Sequence, residues 1–238
     1  LEEGSIEDDG VGPVLRARLE VPAGSTRHLV TRLGVEPVEV ADDVLRRALD
    51  ATTSAWRSWV RGAEAEGSRS WADPHAELVV RSELVLKLLT SADSGAIAAA
   101  VTTSLPEEIG GVRNWDYRCA WIRDASMAAQ ALYGLAHRHD ARAFIQWVER
   151  TAHDRQATDG RLQILYSLHG RHEVPEQELA SLEGYRGSAP VRIGNLAGGQ
   201  LQLDIYGELV SAAYELARHE GGLEESIATF ISSIADEA

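Results

Sequence analysis

With 238 residues, 44% of them apolar, the chain has enough hydrophobic surface for one large or two smaller domains and is not a disordered sequence. Its formal net charge of -14 excludes a general affinity for nucleic acid or anionic membrane, either of which needs a clustered basic face, and leaves a neutral ligand as a better fit than a polyanion. Cys119 is the only cysteine, which rules out an internal disulfide framework and points to a reducing, cytoplasmic setting.

No apolar run approaches the roughly 20 residues that span a bilayer, and the acidic start LEEGSIEDDG lacks the basic-then-apolar pattern of a secretory signal. It also lacks an initiating Met, so the chain is expected to be cut from something longer. Residues 14–33 alternate in polarity on either side of Pro22-Ala23-Gly24-Ser25, a strand, turn, strand signature. Two strands alone are marginal in water, so this hairpin is expected to belong to a larger sheet.

Over residues 42–61 apolar side chains recur at three-to-four spacing, from Val44 and Leu45 to Trp56 and Trp59, which predicts an amphipathic connecting helix. The polar, Gly-containing segment that follows, as far as Pro74, reads as a domain boundary. Residues 75–90 carry leucine and valine almost all the way round, with Glu77/Arg81 and Glu83/Lys87 at the spacing of helical ion pairs, and predict a helix buried on several sides. Further helical patterns occur near 125–137, 140–152, 197–217 and 223–237, separated by long loops.

The segment 102–126, TTSLPEEIGGVRNWDYRCAWIRDAS, has no hydrophobic period but concentrates tryptophan, acids, arginines and a Gly-Gly turn. Long irregular segments are commonly functional, and this one is too aromatic for disorder. An indole can lie against the C–H face of a sugar ring while Arg and Asp take its hydroxyls, a division of labour that suits a neutral polyol. Trp121, Arg123 and Asp124 offer that set, and Trp115 with Asp116 repeats the pairing six residues earlier. A plain structural account fits the same residues locally: Asp124 as the cap of a helix starting near Ala125, and both tryptophans as core.

In the second irregular stretch, 165–195, four glutamates (Glu173, Glu176, Glu178 and Glu183) lie among arginines, and nothing local singles one out. His169 and His172 do not form an HExxH motif, so no metal is expected. The helix predicted from about Ala197 sets Leu201, Ile205, Leu209, Ala212 and Leu216 on one stripe, bordered by Gln200, Asp204 and Glu208. Acids four residues apart repel, which calls for a cation or a ligand beside them. No dinucleotide fingerprint, P-loop or nucleophile elbow is present, and no cofactor is expected.

Together, TTSLPEEIGGVRNWDYRCAWIRDAS, LQILYSLHGRHEVPEQEL and GYRGSAPVRIGNLAGGQLQLDIYGEL resemble glycoside hydrolase family 15, the glucoamylase, glucodextranase and trehalase-like enzymes. The resemblance spans most of residues 76–217. It implies a mainly α fold: residues 1–40 as the last strands of a β-sandwich, 41–74 as a linker helix and loop, and 75–238 as the first part of an (α/α)6 barrel. It also implies an inverting, exo-acting hydrolase of α-glucosides or oligosaccharides.

Carried over by position, the family's Trp-x-Arg-Asp motif falls on Trp121, Arg123 and Asp124, which would hold the terminal glucose. Trp115 and Asp116 match its Asn-Trp-Asp-Tyr segment, and Arg192, Asn195 and Gln200 match the pocket-side loop and helix start. The chain departs from relatives at Cys119-Ala120, where an aromatic is common, and at 196–199, where an aromatic or Asn is common. The family's acid and base carboxylates would lie after Ala238, so no catalytic residue is expected within the chain. The remainder of the same polypeptide is then its necessary partner. The alternative is a non-catalytic sugar-binding or complementing protein completed by another chain.

Overall fold

The computed structural model describes residues 3–8, 13–30, 41–67, 69–152 and 161–237. The chain divides into two compact units, Leu1–Ser58 and Trp59–Ala238.

In the first unit, β1 (Glu3–Asp8) pairs antiparallel with β2 (Pro13–Arg18), with Glu3 opposite Arg18 and Ile6 opposite Leu15. Across the pair, Arg16 Nε lies 3.1 Å from Glu7 Oε2, a diagonal contact of opposite charges. The hairpin is therefore one strand upstream of the expected one. Pro22–Ser25 does turn, with the Ser25 N–H donating to the Pro22 carbonyl, but residues 26–30 form no strand and 31–33 lie outside the described residues. The unit also holds the beginning of α1 (Asp42–Ala65), whose two leading aspartates favour the positive end of the helix dipole.

In the second unit, α2 (Ala76–Leu89), α3 (Ile122–Gly134), α4 (Arg138–Ala152), α5 (Asp204–Glu220) and α6 (Glu225–Glu237) follow the end of α1. Helix α3 packs on α4 and α5, and α6 packs on α5 and α4. The core is built from faces at three-to-four spacing: Ile122, Ala125, Ala129 and Leu132 on α3, Phe144, Ile145 and Val148 on α4, Ile205, Leu209, Ala212 and Leu216 on α5, and Ile227, Phe230 and Ile234 on α6. Burying each of the larger side chains contributes about 1.5–3 kcal/mol. The mainly helical expectation is met over residues 76–237. Helix α5 begins at Asp204 rather than near Ala197, because Asn195 caps a separate 3-10 turn at Leu196–Gly199 and leaves Leu201 exposed outside the helix. A left-handed Gly221 ends α5, its N–H returning to the Ala217 carbonyl.

Helix α2 departs from expectation in two ways. Leu78, Val85 and Leu88 are exposed, while the single buried residue along the helix is Glu83. Nor does Glu83 pair with Lys87: the Arg69 guanidinium and the His137 ring take Glu83, and Lys87 binds Asp140 Oδ1 at 2.6 Å. The same Asp140 accepts from the Trp59 indole at 2.7 Å. A carboxylate inside an apolar packing layer needs a fixed guanidinium and a hydrogen-bond donor, which a lysine already committed to Asp140 does not provide.

Candidate functional site

Two irregular segments are zipped together above the N-terminus of α3. The isolated bridge between Thr103 and Asp116 folds the first segment back on itself. In the second, β5 (Gln177–Glu178) pairs with β6 (Arg192–Ile193). The Thr103 hydroxyl donates to the Arg192 carbonyl at 2.5 Å, the Ser104 hydroxyl accepts from the Arg192 N–H at 2.7 Å, and the Gly110 N–H donates to Ser188 Oγ at 2.8 Å. Below them, β3 (Ala120–Trp121) pairs with β4 (Leu165–Tyr166) and runs straight into α3.

The two segments enclose a cleft of about 450 Å³ lined by Trp115, Tyr117, Trp121, Glu176, Arg192, Asn195, Leu196, Ala197 and Gln200. It brings together five of the eight residues expected from the sequence: Trp115, Trp121, Arg192, Asn195 and Gln200. The other three, Asp116, Arg123 and Asp124, are not among its lining residues.

Asp116 is 3% exposed and occupied on all sides. Its carboxylate accepts from the Arg118 side chain at 2.8 and 2.7 Å, from the Arg118 N–H at 3.1 Å and from the Gly194 N–H at 2.9 Å. Burial pushes its pKa up, but those donors outweigh it and hold the carboxyl below its ordinary value. Its backbone carbonyl accepts from the Asn195 amide at 3.1 Å, while Asn195 Oδ1 accepts from the Ala197 N–H at 2.9 Å. Asp116 and Asn195 together set the cleft wall.

Arg123, beside the Trp121 ring at 5.9 Å, reaches Gln202 Oε1 and Asp204 Oδ2, each at 3.0 Å, and lies 3.3 Å from Asp124 Oδ2. The cation that Asp204 requires is thus Arg123, whose own pKa is raised by the Asp204 hydrogen bond first, against desolvation. Asp124 does not cap α3. Trp121 holds that position without a side-chain cap bond, and Asp124 lies in the first helical turn with its carboxylate partly exposed. The Tyr117 phenol has its pKa raised, by burial first and then by the carboxylates of Glu107 and Asp124.

Arg192 is used mainly by the protein. Its Nη1 donates to the carbonyls of Val112 at 3.0 Å and Asn114 at 3.4 Å, its Nη2 donates to Glu178 Oε1 at 3.4 Å, and its guanidinium covers the Trp115 ring at 4.7 Å. Its Nε lies 3.1 Å from Glu176 Oε1 as an ion pair without hydrogen-bond alignment. Cys119, behind the cleft, is buried, and burial pushes its thiol up to about 11, so it is not a nucleophile at neutral pH.

Sequence reasoning did not select Tyr117, Glu176, Leu196 or Ala197 for the cleft. Tyr117 belongs to the segment NWDYR that carried Trp115 and Asp116, so its signal was present. Glu176 carried none, because three other glutamates share its neighbourhood. Among the described residues no group of three or more His, Cys, Asp or Glu side chains is placed to hold a metal ion, and no helix is long and apolar enough to cross a membrane.

The sequence profile of Glycosyl hydrolases family 15 matches residues 73–237. A trehalase of Thermoplasma volcanium is 38% identical over 186 residues, covering 78% of this chain and 28% of the relative. A trehalase of Mycolicibacterium smegmatis is 32% identical over 227 residues, covering 95% of this chain and 33% of the relative. A solved glycosidase chain superposes over 67% of this chain and 39% of its own length, at 22% identity and a TM-score of 0.47. The chain spans about a third of the length of the curated relatives it matches. On the extent of the profile match, the chain belongs to glycosyl hydrolase family 15.

Proposed function

We propose that the complete polypeptide is an inverting, exo-acting α-glucoside hydrolase that releases glucose from the non-reducing end, and that this chain supplies the wall of its glucose pocket. The observation that carries the reading is the cleft, in which Trp115, Tyr117 and Trp121 present aromatic surface next to the Arg123-Asp124-Asp204 charge cluster. The tryptophan and tyrosine faces suit the C–H faces of a pyranose, and carboxylates held by Arg123 keep lone pairs for hydroxyls. The indole N–H of Trp121 is buried without an acceptor among the described residues, a cost that a sugar oxygen would relieve. The relatives' name, trehalase, makes trehalose the first substrate to test.

Inversion needs two carboxylates, one protonating the leaving oxygen and one activating water. In this reading both come from sequence outside residues 1–238, and Asp124 and its neighbours hold substrate. The chain's 75–238 portion is the first part of an (α/α)6 barrel, preceded by a linker over 41–74 and the end of a β-sandwich over 1–40. The exposed stripe of Leu78, Val85 and Leu88 on α2 suits a face that further barrel helices cover.

The test is glucose release from trehalose and maltose by the complete polypeptide and its Asp124→Ala variant. A loss of more than about tenfold in kcat/KM is expected, the magnitude of one or two charge-assisted hydrogen bonds. An unchanged kcat/KM overturns the role of Asp124, and a complete polypeptide that binds these sugars without cleaving them favours the non-catalytic alternative.

A further inference from the structure

We propose that Glu176 is a direct sugar-binding residue, accepting a pair of substrate hydroxyls inside the cleft. The inference rests on the sugar-binding reading above and adds a ligand contact to it.

Four glutamates lie along residues 173–183, but only Glu176 lines the cleft. Its side chain is 12% exposed, against 60% for Glu178, its fellow partner of Arg192. An ionised carboxylate offers about four acceptor positions. In Glu176, Oε1 faces Arg192 Nε at 3.1 Å and Oε2 accepts one long hydrogen bond from the Leu196 N–H at 3.4 Å. At least two acceptor positions remain on a carboxylate already held by Arg192 and the Leu196 N–H.

Arg192 has little left to offer a ligand. The Val112 and Asn114 carbonyls, Glu178 and the Trp115 ring engage its guanidinium, which leaves one Nη2 hydrogen and the buried Nε–H that faces Glu176. Of the charged side chains lining this wall, the one that presents free hydrogen-bonding positions to a ligand is therefore an acceptor, Glu176, beside the donor N–H of Trp121. Asn195 has its Oδ1 committed to Ala197 and its amide to the Asp116 carbonyl, which leaves it a wall residue as well. A carboxylate with two spare acceptor positions, set among Trp115, Tyr117 and Trp121, matches adjacent hydroxyls on a pyranose whose apolar face meets an aromatic ring. It repels a sugar that carries a carboxylate or phosphate at the same place.

The test compares Glu176→Gln with Glu178→Gln in the complete polypeptide, measuring glucose affinity by calorimetry, KM and kcat on trehalose, and Tm. Glu176→Gln is isosteric and still accepts from the Leu196 N–H. It is expected to weaken glucose binding and raise KM at least tenfold, with Tm nearly unchanged. Glu178→Gln loosens Arg192 from the solvent side and is expected to leave affinity within about twofold of wild type.

Wild-type affinity in Glu176→Gln overturns the proposal. So does an equal loss in both variants, which would trace the effect to Arg192. If Glu176→Gln fails to fold, Glu176→Asp decides: it keeps the charge but withdraws it by one methylene, and a tenfold loss is again expected, against none for a purely structural carboxylate. A wild-type protein that binds neither glucose nor trehalose overturns the sugar-binding reading itself, and this inference with it.

Discussion

The Asp116 carboxylate accepts a hydrogen bond from the backbone N–H of Gly194 at 2.9 Å, so a residue of the first irregular segment fixes the turn of the second. Asp116 is buried, and its remaining lone pairs are taken by Arg118. Asp116→Ala leaves the Gly194 N–H without an acceptor and frees the loop that carries Arg192 and Asn195. A destabilisation of about 2 kcal/mol is expected by denaturant unfolding, with weakened sugar binding. Because the folded carboxyl titrates below its ordinary value of 3.8, the unfolded chain binds more protons in the window beneath that value. The Asp116 contribution is therefore full above about pH 3.8 and is lost as pH falls through the depressed pKa. Asp116→Asn should flatten that acid limb, and an unaltered limb would count against the assignment.

Gly194 itself is constrained twice. Its φ of +75° lies in the left-handed region, and a Cβ built there would meet the Pro175 carbonyl group, which is backbone and cannot rotate away. Left-handed strain alone costs a non-glycine residue about 1–2 kcal/mol, and the clash adds to it. Gly194→Ala is expected to destabilise by more than about 2 kcal/mol and to separate β6 from residues 174–178, lowering sugar affinity beyond what stability explains. Wild-type Tm and affinity together would show that the loop accommodates a side chain.

What was legible in the sequence follows the reach of each interaction. Helices α3 to α6 announce themselves because their buried faces repeat every three to four residues within one segment. The cleft aromatics Trp115 and Trp121 were legible as a composition that suits no core. Contacts between distant segments were not. The sequence placed Glu83 beside Lys87 at ion-pair spacing, yet the partner it takes is Arg69, on the loop after α1. Gln200 and Asp204 read as successive border positions of one helix, but Asn195 caps a separate 3-10 turn and postpones the helix by about two turns. Glu176 was indistinguishable from its neighbours, because cleft lining depends on how residues 174–178 fold against 192–195.

The Arg69–Glu83 pair predicts a strong asymmetry between single and double variants. Two hydrogen bonds of 2.5 and 2.6 Å join side chains that are 8% and 0% exposed. Removing one member strands the other's charge in a layer that water does not reach, so Glu83→Ala or Arg69→Ala should each cost about 3–5 kcal/mol. Replacing both by apolar residues removes the desolvation penalty along with the attraction. The Arg69→Met/Glu83→Leu double variant is therefore expected to be more stable than either alanine variant. Strictly additive losses in a double-mutant cycle would show the pair to be uncoupled.

His137 gives this cluster a pH dependence near neutrality. Its ring stacks on Trp59, with centroids 3.5 Å apart and planes within 3°, and its Nε2 lies 3.2 Å from Glu83 Oε2. A carboxylate only accepts, so the neutral ring must carry its proton on Nε2 to make this bond. Desolvation by burial is the largest influence and lowers the pKa, Arg69 adds to it, and Glu83 and Asp140 pull in the opposite direction without reversing it. The folded value therefore lies below the ordinary 6.5. Between the two values the unfolded chain holds the proton and the folded one does not, so stability rises with pH across that window. The His137 contribution is full above about pH 6.5 and declines as pH falls through the depressed value, with a slope of at most about 1.4 kcal/mol per pH unit. His137→Phe keeps a ring against Trp59 and removes the titration, at a cost of about 1 kcal/mol for the lost bond to Glu83. Unfolding free energies measured from pH 8 down to pH 5 should slope below pH 6.5 in the wild type and lose that part of the slope in the variant. Parallel curves would place the titration on another group.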